Sequence, residues 1–330
     1  MILAGDIGGT NARLALYEVQ AGKLEQITES VFPSRQHSGL DEIVAKFSAL
    51  IPPENKPDAA CFGIAGPVVN GRVETSNLPW VVESSQLATE LGIKRALLIN
   101  DLEANAWGIG ALSADDLVTL NHIDTQPHGN QAVVSAGTGL GEAGLYWDGT
   151  RHHVFACEGG HTDFAPRNDV EMQLLQYLMA RFGHVSYERI LSGPGLVNVF
   201  SFLRDTGHGR PGAWLVEEMA ASDPAAAISR AAMEGKCSLC EQALDLFISI
   251  YGAEAGNMAL KAMATGGVYL GGGIAPKILA KLKGPLFMEA FRSKGRLQRV
   301  MEAIPVRVIT NDKTALLGAA RCAISDGAGS

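Results

Sequence analysis

Asn100 and Asp101 follow the apolar run at 95–99 and open the segment LEANAWGIGAL. A carboxylate placed there can accept a proton from a hydroxyl, and a helix N-terminus favours its ionised form. The same two residues also suit a structural role, with Asn100 as the helix cap and Asp101 as a first-turn acid. A second constellation is Glu158-Gly159-Gly160-His161, an acid and an imidazole on either side of two glycines. Charged side chains among glycines suggest a mobile or closely approached loop that meets a ligand. One Glu and one His without a third ligand in view argue against a metal centre. Glu188 precedes Ser192-Gly193-Pro194-Gly195 and by itself reads as a first-turn acid beside Arg189. His152-His153 reads as part of a surface strand.

Glycine supplies 38 of the 330 residues, about 12% against a usual ~7%. The excess gathers where strands are expected to end: Gly8-Gly9-Thr10, Gly63-x-x-Gly66, Gly137-Thr138-Gly139-x-Gly141 and Gly271-Gly272-Gly273. In open α/β sheets ligands bind outside the carboxyl ends of the strands. Glycine there lets backbone N–H groups approach phosphate oxygens, and Thr10 and Thr138 add hydroxyl donors. Each cluster alone could be a tight hairpin turn, but four of them, two matched along the chain, point to phosphate binding. Gly139-x-Gly141-x-x-Gly144 matches a dinucleotide fingerprint, yet the chain continues as LYWDGTRHHVF, a strand and turn instead of the helix that fingerprint requires. No G-x-x-x-x-G-K-[ST] occurs, so a P-loop is absent.

The elements that must position these groups carry a two-fold echo. Residues 2–19 read as strand, Gly/Thr turn and strand, followed by a turn at Ala21-Gly22-Lys23. Residues 132–155 repeat that plan, with Asp148-Gly149 as a strong hairpin signal. Between and after the two units, apolar spacing predicts helices over 40–50, 86–92, 169–182, 241–264, 276–283 and 313–324. Strands are expected at 59–64, 95–99, 268–270 and 305–310. Strands alternating with helices define an α/β architecture with parallel pairings, to which the hairpins add antiparallel ones.

Composition removes several function classes. Lys+Arg 27 against Asp+Glu 35 gives a net charge of −8, so nucleic acid and anionic membranes are poor partners. With 47% hydrophobic residues the chain can bury a large core. No apolar run approaches a membrane span, and MILAGDIGGT lacks the basic start of a signal peptide. Five cysteines, an odd number, without a secretion signal suit reduced thiols in the cytoplasm. Cys237-x-x-Cys240 lacks the second ligand pair of a structural zinc site and reads as two ordinary thiols near a helix start.

GDIGGTNARLAL, LLINDLEANAWGIGAL, SAGTGLGEAGL, EGGHTDFAP, HVSYERILSGPGLVN and GGVYLGGGIAPKI, in this order over nearly the whole chain, closely resemble bacterial glucokinases of the type without the zinc motif of the ROK group. EGGHTDFAP and ERILSGPGL are the specific segments; GDIGGT alone marks only the wider hexokinase, actin and chaperone ATPase superfamily. The resemblance implies a two-domain, duplicated RNase H-like (actin-like ATPase) fold with an interdomain cleft. It implies a smaller domain of 1–111 plus 304–330 and a larger one of 112–303. It implies ATP-dependent phosphorylation of glucose, the first step of glycolysis, with magnesium as cofactor and a homodimer as the assembly. Asp101 resembles the catalytic base, and Asn100, Glu158, His161 and Glu188 resemble glucose-binding residues, with Asn77 resembling a sugar-side loop residue. Gly5, Asp6, Ile7, Gly8, Gly9 and Thr10 resemble the phosphate loop, with Asp6 near the magnesium through water. Gly137-Thr138 resembles the second phosphate turn, and Gly271, Gly272 and Gly273 the adenosine side.

Other readings come from different classes. A kinase of another hexose or an amino sugar would keep the same shape. A non-enzymatic sugar-sensing regulator would be expected to carry an N-terminal DNA-binding module, for which a first strand at residue 2 leaves no room. A filament or chaperone ATPase would not need the Asn100-Asp101 and EGGH constellation.

Overall fold

The computed structural model describes residues 1–20, 23–75, 77–121, 123 and 128–327. The turn expected at Ala21-Gly22-Lys23 therefore lies largely outside the described residues. The chain divides into two compact units, Met1–Asp116 with Asn311–Ser330, and Leu117–Thr310.

The first unit is built on strands β1 (Ile2–Ile7), β2 (Asn11–Gln20), β3 (Lys23–Pro33), β4 (Ala59–Ile64) and β8 (Ala96–Asn100), in the order β3-β2-β1-β4-β8. A small sheet of β5 (Val68–Val69), β6 (Arg72–Glu74) and β7 (Val81–Glu83) stands beside it. β1 pairs antiparallel with β2 and parallel with β4, and β4 pairs parallel with β8. The central strands are buried on both faces, which is why they read as continuous apolar runs. One face packs Leu3, Leu14, Phe62 and Leu98 against α1 (Leu40–Ser48) and α2 (Ser84–Leu91). The other packs Ala4, Cys61 and Ile99 against α3 (Asp101–Ile109) and the C-terminal helix Thr314–Gly327.

The second unit repeats the plan. Its strands are β9 (Leu117–Thr119), β10 (Gln131–Ala136), β11 (Leu140–Trp147), β12 (His152–Cys157), β13 (Gly267–Gly271) and β14 (Val306–Ile309), ordered β12-β11-β10-β13-β14-β9. β10 forms a hairpin with β11 and pairs parallel with β13, which pairs parallel with β14. At the Asp148-Gly149 turn the Asp148 carboxylate accepts the N–H groups of Thr150 (2.8 Å) and Arg151 (2.9 Å). The helices are α4 (Asp169–Phe182), α5 (Gly193–Asp205), α6 (Ala213–Ala221), α7 (Pro224–Met233), α8 (Ser238–Ala262), α9 (Leu279–Leu282), α10 (Pro285–Arg292) and α11 (Gln298–Glu302). α8 runs through the core, with Phe247, Ile248 and Tyr251 fully buried.

Three details depart from the sequence reading. Residues 304–310, assigned there to the smaller domain, belong to the second unit, because β14 is hydrogen-bonded between β13 and β9. The helix expected over 276–283 is only the single turn α9, preceded by turns in which Lys277 and Ile278 both donate to the Ile274 carbonyl. Pro276 brings no N–H to that stretch, and Gly284-Pro285 then starts a separate helix. Helices α5, α6, α7 and α10 lie outside the helices expected from the sequence. No helix of the described residues is long and apolar enough to cross a membrane.

Candidate active site

In the first unit the parallel strands β1, β4 and β8 all end on the same edge. Register places Asp6 opposite Gly63 and Ile64 opposite Asn100, so the turn after β1, the Gly63–Gly66 turn and the start of α3 are neighbours. Asn100 caps α3: its Oδ1 accepts the N–H of Leu102 at 2.8 Å, while its Nδ2 donates to the carbonyl of Gly66 at 3.1 Å. The cap fixes the helix start, and the second bond ties it to the adjoining turn. Asp101 Oδ1 also accepts the Leu102 N–H, at 3.0 Å, and Asn105 donates to the Asp101 carbonyl. A Cβ on Gly63 would lie 2.7 Å from Ala104 Cβ and 3.8 Å from Asp101 Cα, so only glycine lets α3 sit this close to β4.

Asp6 is held apart from ordinary carboxylates. Burial, and then the neighbouring Asp101 charge, push it up to about 6, against the pull of Arg13. Arg13 in turn pairs with Asp312 at 3.3 Å and lies 3.6 Å from Glu29. Gly8, Gly9 and Thr10 form the turn between β1 and β2, where the Gly8 N–H donates to the Asn11 carbonyl. Asn77 packs on this turn, its Cβ only 2.7 Å from where a Cβ on Gly9 would stand. The structure thus brings Asp6, Gly8–Thr10, Asn77, Asn100 and Asp101 to one edge of one sheet.

Among the described residues no group of three His, Cys, Asp or Glu side chains could hold a metal ion. What the first unit offers a magnesium ion is Asp6 and Asp101, with the Asp101 charge raising Asp6 and the Arg13 guanidinium opposing that rise. That excess of negative charge fits a hydrated cation carried in on phosphate, since magnesium usually keeps several waters and is bound by one or two carboxylates plus substrate phosphates.

In the second unit Glu158 follows β12 and leads into the single turn Gly159–His161. Both side chains are exposed, with His161 Nε2 4.0 Å from Glu158 Oε2. The two glycines between them are a packing requirement: a Cβ on Gly159 would strike the Glu142 carboxylate, and one on Gly160 the Leu140 carbonyl. The turn is thus pressed onto β11. It is joined to the next turn, Tyr187–Arg189, through the Tyr187 N–H to the Thr162 carbonyl at 3.1 Å and the Asp163–Ser186 bridge.

Glu188, uninformative in the sequence, has a defined place. Its Oε2 accepts the N–H of Leu140 at 3.0 Å, directly beside the Gly137-Thr138-Gly139 turn. Ser192 Oγ donates to the Glu188 carbonyl and accepts the Gly195 N–H, and Gly193 N–H donates to the Gly137 carbonyl. The ERILSGPG segment therefore clamps Glu188 and the Gly137–Leu140 turn together.

Gly137, Thr138 and Gly273 open onto a cavity of about 1180 Å³. No atom lies within 4 Å of the Cβ position of Gly137 or Gly273, so the space above both turns is clear. Its walls come from Leu196 and Val197 of α5, Ser229 and Met233 of α7, and Ile274 and Lys277 after β13. A mostly apolar slot with backbone amides at one end suits a flat base joined to phosphates. Sequence reading missed the α5 and α7 walls. Lys277, a cation four residues beyond the glycine triplet, was the one signal that could have been followed.

A buried acid pair was also missed. Glu142 of β11 and Glu254 of α8 face each other with essentially no solvent exposure. Burial, and then Glu254, push Glu142 up to about 8.

The two repeated units and their strand-end glycines define a phosphotransferase of the actin-like ATPase fold. A sequence model of the glucokinase family matches residues 3–326, and the chain belongs to that family. It is 43% identical over 337 residues to a glucokinase of Nostoc sp. strain PCC 7120, covering 98% of both chains. Its structure is similar to that of a glucokinase from an Antarctic psychrotroph, with a TM-score of 0.86, 31% identity and 98% of each chain covered. A ROK family glucokinase from Streptomyces griseus, in complex with glucose and AMPPNP, shares the fold at a TM-score of 0.63 and 21% identity, over 98% of this chain and 99% of that one.

Proposed function

We propose that the protein transfers the γ-phosphoryl group of ATP to the 6-hydroxyl of glucose, giving glucose 6-phosphate and ADP. The observation that carries this reading is an ionisable Asp101 set at a capped helix start beside Asp6 and a glycine turn, in a chain of the glucokinase family. Phosphoryl transfer needs mainly positioning and charge stabilisation, which such groups can supply.

In this reading Asp101 orients the 6-hydroxyl and takes its proton as the oxygen attacks phosphorus. Asn100, Glu158, His161 and Glu188 bind the sugar hydroxyls, carboxylates as acceptors and amide or imidazole as donors, and Asn77 borders the sugar. The turns at 5–10 and 137–138 cradle the triphosphate, and the cavity beside Gly271–Gly273 takes the adenosine. Magnesium, when bound, neutralises charge developing on the phosphates, and Asp6 holds its water shell. We place the protein in the cytoplasm, as a homodimer, at the entry of glucose into glycolysis.

The test is glucose-dependent ADP formation, compared across mannose, fructose and N-acetylglucosamine. Turnover with glucose at least ten times that with the others in kcat/KM is expected. A preference for another sugar would make the protein a kinase of that sugar. ATP hydrolysis indifferent to every sugar would refute the reading.

A further inference from the structure

The turns that carry Glu158, His161 and Glu188 rest on a buried polar network that the reaction itself does not use. Glu142 lies under Gly159, and its register partner on β12 is Cys157, one residue before Glu158. Glu254 Oε2 accepts from Asn257 Nδ2 at 2.8 Å, and the same amide donates to the Tyr187 hydroxyl at 3.0 Å. Tyr187 immediately precedes Glu188. Asn257 is fixed from its other side by Lys294, whose ammonium donates to Asn257 Oδ1 at 2.5 Å and to the Ala253 carbonyl at 2.9 Å. One chain of side chains thus reaches from the first turn to the second through α8.

As two carboxylates the pair would leave both Glu142 oxygens and one Glu254 oxygen buried without a donor. Two facing charges without exposure would also repel strongly, and the nearest cation, Lys261, stands 3.6 Å from Glu254 and is itself half exposed. A proton on Glu142 resolves both problems, because a carboxylic acid donates and the facing carboxylate accepts. The other titratable groups around the pair are Cys157 and Tyr187, both raised by burial, together with Tyr251, Lys294 and, on the surface, Glu158. None of them supplies a donor to Glu142 among the described hydrogen bonds.

We propose that Glu142 and Glu254 form a proton-sharing acid pair that positions the two sugar-binding turns, so that glucose affinity depends on a proton held beneath the Glu158–His161 turn. Both are positioning residues, and the inference rests on the glucose-binding roles proposed above for those turns. Loss of the proton places a second charge under Gly159, pushes the turn off β11 and loosens Glu158 and His161 from the sugar. ATP is held by other groups and does not feel it.

The experiment is the KM for glucose, the KM for ATP and kcat from pH 6.5 to 9.5, for the wild type and Glu142→Gln. If only the protonated pair holds the turns, glucose KM in the wild type rises about tenfold between pH 7 and 9, with ATP KM steady. Gln mimics the neutral acid, so Glu142→Gln keeps the pH 7 value and flattens the profile. Glu254→Gln, a second variant should the first fail to fold, also flattens it, because no second charge remains to repel. Glu142→Ala leaves Glu254 buried without its partner and raises glucose KM at pH 7. A flat wild-type profile, or a glutamine variant that keeps the wild-type slope, overturns the inference while leaving the kinase reading intact. Absence of glucose-dependent ADP formation at every pH overturns both.

Discussion

Asp101→Asn separates the chemical role of this side chain from its structural one. Asn keeps the size and a hydrogen-bonding oxygen, so the 3.0 Å bond from the Leu102 N–H can persist, and the Asn100 cap at 2.8 Å is untouched. The helix loses one first-turn charge, worth about 0.3–1 kcal/mol. Against this, removing the charge relieves Asp6, whose ionisation Asp101 opposes. The two effects have opposite sign, so the melting temperature should move by only a few degrees. Catalysis has no such compensation. General-base assistance contributes about 10²–10⁴-fold, or about 3–5 kcal/mol of barrier. A coupled assay of ADP formation at saturating glucose and ATP should show kcat down by at least about 100-fold. Glucose KM should change little, because four other side chains are assigned to its hydroxyls. A variant that retains more than about a tenth of wild-type turnover would remove Asp101 from the base role, since even the weakest general base contributes more. A variant that unfolds would instead mean that its charge holds the strand edge together.

Asp6→Asn should raise stability at pH 7–8: the native acid releases its proton near 6 and the unfolded one near 4, so wild-type stability falls as pH rises between them. The Tm advantage of the variant should therefore grow from pH 4 to 6 and level off above; an advantage that is constant with pH would refute the raised native value. Glu171→Ala should cost about 1–3 kcal/mol, because Glu171 is fully buried and accepts from the Arg167 backbone at 2.8 Å and side chain at 2.5 Å, while the exposed guanidinium keeps its bond to Ser249. Chemical denaturation would read it, and a loss under 1 kcal/mol would contradict the assigned pairing. Ser229→Trp, on the cavity wall, should raise ATP KM at least about tenfold with glucose KM and Tm nearly unchanged, as an indole fills the space proposed for the base. Unaltered ATP KM would place the nucleotide elsewhere.

Much of this protein was legible in one dimension. The β-α alternation, the duplicated hairpins and the strand-end glycines follow from local rules: apolar runs of strand length, turn residues with the backbone freedom they need, and caps such as Asn100. The family resemblance also lived in short contiguous segments, because EGGHTDFAP and ERILSGPGL are single turns whose residues act close to where they stand in the chain. What escaped was whatever depended on residues far apart meeting in space. Glu142 reads as an ordinary acid in a strand and Glu254 as a charge in a long, mostly apolar helix. Only the packing of α8 against the sheet turns them into a buried pair with one proton's worth of room. Glu188 looked like a helix-start acid until the ERILSGPG loop laid it on Leu140. Residues 304–310 changed units because strand pairing, a contact between segments, outweighs nearness along the chain. Local sequence sets which backbone shapes are cheap. Burial and the loss of water, which only the assembled units impose, decide what those side chains must do for one another.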